Sequence, residues 1–481
     1  MKSTKIVCTI GPASQDPQVM RRMALAGMNL ARLNLSHSDH DYHRRTIARV
    51  RELCAEEDLP IGIILDLQGP KIRTGKVAGQ EVLLRQGESI RLTGEKVEGD
   101  GSSVSVNYPR LHREVRKGER VLLDDGNIEL VVTEIREDGV VCRIVNGGVL
   151  RSYRGVNLPE SDISISAVTE KDVRDLYFGL DNDVDYVALS FVRKPADVAQ
   201  LRELMAGRKK VVPIIAKIEK PEAVQNIDGI ISEADGIMVA RGDLGAETTP
   251  QDVPIFQKMI IRKGSLAGKP VITATQMLES MTSNPRPTRA EAADVANAIF
   301  DGTDAVMLSG ETAIGRYPEQ AVRIMSDIAL RAERELFRER QGARPPLLQR
   351  LPDPAGIADT MCYSAAGVAE LVKPRYLVSF TLTGRTAALA SKYRPAAPII
   401  AMCPSSTVLR KLSLYWGVHG VPIEQVETTE QLLEQAEEVL IGRGLCEEGD
   451  TVLFMGGVPV LAGGPTNMLK VHRVNLEERN I

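Results

Sequence analysis

Short apolar runs rich in Val, Ile and Leu alternate with longer stretches of helical periodicity along most of the chain. "KIVCTIG" precedes "QVMRRMALAG", "LARLNLS" precedes "YHRRTIARVRELCAEE", and "IGIILDL" stands third. After a long interruption the unit resumes. "YVALSFV" precedes "PADVAQLRELMAG", "VVPIIAKIE" precedes "AVQNIDGIISEA", "GIMVARGDLG" precedes "VPIFQKMIIRKGSLAG", "VITATQM" precedes "RAEAADVANAIFDG", and "AVMLSG" precedes "PEQAVRIMSDIALRAERELF". Eight such units predict an α/β fold, a (β/α)8 barrel over 1–73 and 156–340, with reactive residues at the C-terminal ends of its strands. An open doubly wound sheet is the competitor, but "CTIGPASQDP" after the first strand lacks its glycine fingerprint.

The interruption, residues 74–155, alternates apolar and polar positions between Asp-Gly and Gly-Gly turns, as in "RVLLDDGNIELVVTEIREDGVVCRIVNGG". That pattern predicts a small all-β, barrel-like domain inserted after the third strand, placed to act as a lid over the barrel mouth. A Pro- and Arg-rich linker, "RERQGARPPLLQRLPDPAG", leads to a third region over 345–481. There "DTMCYSAAGVAELV" and "RTAALASKYRP" read as helical and "RYLVSFTL", "PIIAMCP", "VLFMGG" and "LKVHRVN" as extended, predicting an open α/β sheet domain.

Composition narrows the function classes. The 481 residues carry a formal net charge of −4, 43% hydrophobic residues, 4% aromatics and a single Trp. A chain so balanced, with so few stacking surfaces, gives no reason to expect nucleic acid or an anionic membrane as partner. The six cysteines form no CxxC pair and several lie in apolar runs, which reads as reduced core thiols. With no apolar segment long enough for a signal peptide or a span, the expected location is the cytoplasm.

In "VVPIIAKIEKPEAV" strand alternation puts Lys217 and Glu219 on one face. A structural ion pair is the bland reading. Other strand ends converge with it: Arg32, Asn34 and Ser36 after strand two, Asp66, Lys71 and Arg73 after strand three, Asp243 after strand six, Thr275 after strand seven, Ser309 and Glu311 after strand eight. Glu219 and Asp243 are hard oxygen ligands on neighbouring strands, the usual way Mg2+ is held. Arg32, Arg73 and Lys217 have no evident partners nearby in sequence and suit a transferring phosphoryl group beside an oxyanion. The glycine in "ARGDLG" lets backbone N–H groups approach an anion. Metal-assisted phosphoryl or enolate chemistry follows from these residues. The rivals are a carbon–carbon lyase passing through the same enolate and a catalytically silent metabolite sensor.

The motifs "RLNLSHS", "LDLQGPKIRTG", "RGVNLP", "IIAKIEKPEAV", "MVARGDLGAE", "ITATQMLESM" and "PTRAEAADVANAIFDGTDAVMLSGETAIGRYP" occur in this order, and with them the chain resembles the pyruvate kinase family from Thr4 to its C-terminus. The resemblance implies transfer of the phosphoryl group of phosphoenolpyruvate to ADP, giving pyruvate and ATP through a metal-stabilised enolate in glycolysis. It implies Glu219 and Asp243 as ligands of Mg2+ or Mn2+, and Lys217 as the cation for the phosphoryl group and enolate oxygen. Backbone N–H groups at Ala240, Arg241, Gly242 and Asp243 would bind the substrate carboxylate. Thr275 would lie where the enolate is protonated, with Ser309 and Glu311 in the relay, and Arg32, Asn34, Arg73 and Arg154 would meet the nucleotide. It further implies a homotetramer and an effector site for a phosphorylated metabolite at Thr381, Thr383, Gly384, Arg385 and Thr386, beside the glycine-rich "GGVPVLAGGPTN".

Two departures carry information. Many members of that family have Glu where this chain has Lys71, and the glutamate form accompanies a K+ ion bound near residues like Asn34, Ser36 and Asp66. A fixed ammonium at Lys71 predicts activity without K+. Arg154 stands where the family often has Lys, and its planar fork is not a point charge. His37, His40 and His43 in "SHSDHDYH" are expected to start a helix capped by Ser38 or Asp39 rather than to hold a metal.

Overall fold

The computed structural model describes residues 1–124, 126–161, 163–339, 356–460 and 464–475. The expected linker at 338–356 lies almost wholly outside them. The eight apolar runs form β1 (Lys5–Thr9), β2 (Leu30–Asn34), β3 (Gly62–Asp66), β4 (Tyr186–Leu189), β5 (Ile214–Ile218), β6 (Gly236–Ala240), β7 (Val271–Ala274) and β8 (Ala305–Leu308). Each pairs in parallel with the next, and β8 pairs with β1, closing a barrel. Among the described residues no helix is long and apolar enough to cross a membrane, and all six cysteines are free thiols.

Strand parity sorts the barrel's side chains. Outward residues such as Ile6, Leu33, Ile63, Leu65 and Ile218 pack under the helices. Inward residues Val7, Leu30, Ile64, Ala188, Ile215, Met238 and Met307 fill the interior. Two positions further along each strand the same face carries Thr9, Arg32, Asp66, Ser190, Lys217, Ala240 and Ser309. The apolar layers are thus capped at the C-terminal mouth by a polar layer on the same inward rows. The helix after the lid, Glu170–Asp181, which the apolar pattern did not reveal, starts with a capping box from Thr169 and Asp172.

The inserted segment forms a six-stranded sheet in the order 156–157, 120–123, 128–136, 139–146, 89–93, 103–105, with a two-stranded ribbon, 81–84 with 148–151. Its own core includes Leu84, Ile90, Leu92, Val121 and Leu130. One four-residue helix, Leu111–Glu114, breaks the all-β expectation.

The C-terminal sheet contains β9 (Tyr376–Phe380), β10 (Ile399–Cys403), β11 (Val418–Pro422), β12 (Thr451–Gly456) and β13 (Met468–Arg473), in the order β11-β10-β9-β12-β13 with only β13 antiparallel. This region plugs the bottom of the barrel. Leu414 packs with Val7, Leu30, Ile64 and Tyr186 inside it. Gly62 at the start of β3 lies so close to the C-terminal region that a Cβ there would be 2.8 Å from the Arg410 carbonyl oxygen. Arg410 pairs with Asp185 at 3.0 Å and Arg394 with Asp304 at 2.9 Å, all four largely buried. Asp304 also accepts from the Val271 N–H at 2.9 Å, so one carboxylate joins the starts of β7 and β8 to the C-terminal region.

Removing one member of such a buried pair strands the other. Arg394→Met is expected to cost about 3–5 kcal/mol, read as a lower urea midpoint. The double variant Arg394→Met with Asp304→Leu should recover much of that loss. A single variant with the parent midpoint would contradict this role.

Candidate active site

The polar layer at the barrel mouth is a chain of alternating charges. Arg32 Nε lies 2.6 Å from Asp66 Oδ2, and its Nη1 donates to Thr9 Oγ1 at 2.9 Å. Lys217 Nζ sits 3.3 Å from Asp66 Oδ1 and 2.9 Å from Glu219 Oε1. Its third contact is Ser190 Oγ at 2.7 Å, and that hydroxyl donates to the Leu67 carbonyl at 2.7 Å. Glu219 Oε2 accepts from the Phe191 N–H at 2.7 Å, so this carboxylate is oriented from both sides. The strand alternation that put Lys217 and Glu219 on one face therefore brings them into contact.

Arg32 and Lys217 are not the partnerless cations that their sequence neighbourhoods indicate, because Asp66 reaches both from β3. Ser190 and Phe191, at the end of β4, belong to the site and carried no charge to mark them. Their position after a barrel strand was the available signal.

Burial and charge oppose each other here. Burial by itself would push the Lys217 ammonium down, but Asp66 and Glu219 more than reverse it and hold it above the ordinary lysine value. Burial likewise would raise Asp66, yet Lys217 and Arg32 hold it below the usual carboxylate range. Glu219 ends the other way: burial and the charge of Asp243 push it up against the pull of Lys217. The charge of Asp243 is thus close enough to Glu219 to raise the proton affinity of Glu219. Two hard carboxylate donors so placed, one already oriented by Phe191, fit a small divalent cation completed by substrate oxygens and water. Arg32, Lys71 and Lys217 balance Asp66, Glu219 and Asp243, so the pocket is poised to take a metal together with an anionic substrate.

Lys71 lies on Asp243 rather than in the Asn34, Ser36 and Asp66 region. Its Nζ is 3.4 Å from Asp243 Oδ1, and the ammonium on Asp66 is that of Lys217. Asn34 Oδ1 accepts from the Ser36 N–H at 3.1 Å. Arg73 Nη1 donates to the Tyr153 carbonyl at 3.1 Å, and Arg154 Nε lies 3.4 Å from Asp124 Oδ1, so both cations stand where the lid joins the barrel.

A short helix, Arg241–Glu247, follows directly on β6. The Gly242 N–H donates to Thr275 Oγ1 at 2.8 Å. The Arg241 side chain turns into the protein, pairing with Asp294 at 2.7 Å and donating to the Thr275 carbonyl at 2.7 Å, so it positions the loop after β7. Thr275 and Gln276 both have left-handed backbone, φ 67° and 53°, a strained conformation held by that clamp. The Glu311 carboxylate accepts from the Ser309 N–H at 2.7 Å and the Leu278 N–H at 3.0 Å, tying the loops after β7 and β8 together. Burial raises Glu311 above the ordinary carboxylate value, and the Ser309 hydroxyl is buried with no protein partner among the described residues.

The histidine-rich segment forms the expected helix start, with Asp39 capping the helix His40–Glu57. Thr381 Oγ1 accepts from the Gly384 N–H at 2.9 Å. Gly384, at φ 88°, opens the helix Arg385–Lys392. Thr386 meets Thr466 of the glycine-rich segment at 2.8 Å. Residues 461–463 of that segment lie outside the described ones.

Comparison with known proteins identifies the family and the fold. The family model "Pyruvate kinase, barrel domain" matches residues 1–322 and "Pyruvate kinase, alpha/beta domain" matches residues 359–472. A pyruvate kinase of Geobacillus stearothermophilus is 45% identical over 98% of this chain and 81% of its own length, and one of Clostridium perfringens is 44% identical over 98% and 100%. A crystal structure of a pyruvate kinase from Cryptosporidium parvum superposes with a TM-score of 0.92 at 37% identity, covering 98% of this chain and 96% of that one. The closed eight-stranded barrel and the separate C-terminal α/β region thus have their counterparts in known proteins, and the chain belongs to the pyruvate kinase family of phosphotransferases.

Proposed function

We propose that the chain transfers the phosphoryl group of phosphoenolpyruvate to ADP at this barrel mouth, and that the observation carrying the mechanism is the placement of Lys217 between Asp66, Glu219 and Ser190. An oxygen of the ADP β-phosphate attacks phosphorus, the bond from phosphorus to the enol oxygen breaks, and the electron pair stays on that oxygen as the enolate. Lys217, kept charged by Asp66, donates to the oxygens on which charge develops. Arg32, itself fixed by Asp66 and Thr9, faces the moving phosphoryl group. Arg73, Arg154 and Asn34 hold the nucleotide phosphates as the lid comes down.

Glu219 and Asp243 are the residues that would hold Mg2+ or Mn2+, which supplies Lewis-acid polarisation of phosphoryl and enolate oxygens when bound. The N–H groups of the Arg241–Glu247 helix start receive the substrate carboxylate, with Gly242 also gripping Thr275. The enolate carbon takes its proton on the Thr275 side. Thr275, the partnerless Ser309 hydroxyl and the raised Glu311 carboxyl form the relay through water.

Lys71 supplies a fixed positive charge beside Asp243, and the enzyme needs no K+. The Thr381–Thr386 turn and helix cradle a phosphate of an allosteric activator, and the assembly is a cytoplasmic homotetramer.

Lys217→Ala is expected to lower kcat about 10²–10³-fold while the fold and Mn2+ binding persist. Circular dichroism and Mn2+ titration check the latter, and parent-like turnover would defeat the assignment. For Lys71, initial rates with K+ and with tetramethylammonium should match in the parent protein, while Lys71→Glu should require K+. A parent enzyme that needs K+ would contradict the built-in charge.

A further inference from the structure

One short helix touches both segments that join the inserted domain to the barrel. The helix Arg241–Glu247 carries Asp243 and Glu247 four residues apart, on one face. Asp243 meets Lys71 of the entering segment at 3.4 Å. Glu247 meets the returning one, its Oε1 accepting from Asn157 Nδ2 at 2.6 Å. Asn157 lies in the two-residue strand 156–157, which pairs with Leu122 and Leu123 of the inserted sheet, so this bond ends on the inserted domain itself.

The same oxygen of Glu247 takes the Lys220 ammonium at 2.6 Å. Lys220 directly follows Glu219 at the end of β5. One carboxylate, only 3% exposed, therefore joins the backbone beside Glu219, the helix that carries Asp243 and the return of the inserted domain. A buried acid held by an ammonium and an amide is firmly placed, because losing either donor leaves its charge short of partners. The seam around it is looser. A cavity of about 40 Å3 is lined by Ile72, Val156 and Leu158 from the joining segments and by Phe191, Lys220 and Glu247 from the barrel. Apolar packing is incomplete there, so the polar bond carries the contact. Arg193 grips the carbonyls of Ile163 and Ile165 further along, but its loop after β4 holds neither acid.

We propose that Glu247 is a positioning residue that couples the seating of the inserted domain to the paired acids Glu219 and Asp243. When those acids take up a divalent cation, the backbone beside them stiffens, and Glu247 passes that order to Asn157 and the returning segment. Glu247 needs no contact with cation or substrate in this role; it acts through Lys220 and Asn157. The proposal rests on the reading of Glu219 and Asp243 as the residues that hold the cation.

The test uses the full-length protein with Mn2+ alone as the probe, read by electron paramagnetic resonance of the free ion and by hydrogen exchange of peptides spanning 155–161. In the parent, saturating Mn2+ should slow that exchange about threefold. Asn157→Ala should abolish the Mn2+-dependent slowing while its Mn2+ affinity stays within about twofold of the parent. Glu247→Gln, which keeps the shape but loses the ion pair with Lys220, should weaken Mn2+ about fivefold. A bond that served only stability would change exchange equally with and without the ion, so the ratio between the two conditions is what decides. Should Glu247→Gln not fold, Asn157→Ala decides alone. Slowing that survives Asn157→Ala, parent exchange indifferent to bound Mn2+, or folded Glu247→Gln that binds Mn2+ like the parent overturns the coupling and leaves the metal reading standing. A parent protein that binds no Mn2+ sinks the metal reading of Glu219 and Asp243, and the coupling with it.

Discussion

One buried carboxylate organises the mouth of this barrel. Asp66 ends β3 on an inward row, only 1% exposed, and its two oxygens hold Arg32 from β2 and Lys217 from β5. An acid so placed is stable only because two cations more than offset its desolvation. In return, those cations are fixed in place before any substrate arrives. Lys217 spans from Asp66 to Glu219, so the proposed catalytic ammonium and a carboxylate that suits a divalent cation are parts of one network. Preorganised charge of this kind needs no reorganisation when charge moves in the transition state.

The rest of the fold keeps that layer rigid. Apolar residues on the same inward rows support it from beneath, and Leu414 closes the far end of the barrel. The strained Thr275 backbone is held from two sides: Arg241 grips its carbonyl, and Glu311 ties down Leu278 a few residues on. Asp304 and Arg394 anchor the starts of β7 and β8 in the C-terminal region, at the opposite end from the chemistry. The inserted segment enters and leaves where Arg73 and Arg154 stand, so under the proposed function its closure would move their nucleotide contacts while the Asp66 network stays on the strands.

Much of this was legible along the chain because barrel strands are short, continuous apolar runs, and strand parity alone placed Lys217 beside Glu219. The pairing of Arg32 and Lys217 with Asp66 was not, since it joins residues from three separate strands. Ser190, Phe191 and Thr9 escaped because an uncharged strand end looks like any other. Lys71 was expected near Asp66, but the loop that carries it is placed by the lid as well as the barrel, and it reaches Asp243 instead. In the C-terminal region β11 was missed because "VHGVP" contains Gly and Pro. The helix Thr429–Gly442 was missed despite a readable signal, a capping box of Thr428 and Gln431 before an amphipathic run.

The most direct test of the organising role of Asp66 is steady-state turnover of Asp66→Asn, an isosteric change that removes only the charge. If Asp66 holds Lys217 and Arg32 in their working positions, kcat for pyruvate formation should fall about 100-fold, with the circular dichroism spectrum preserved. An Asp66→Asn enzyme that turns over at the parent rate would contradict the account, because Lys217 and Arg32 would then need no carboxylate between them.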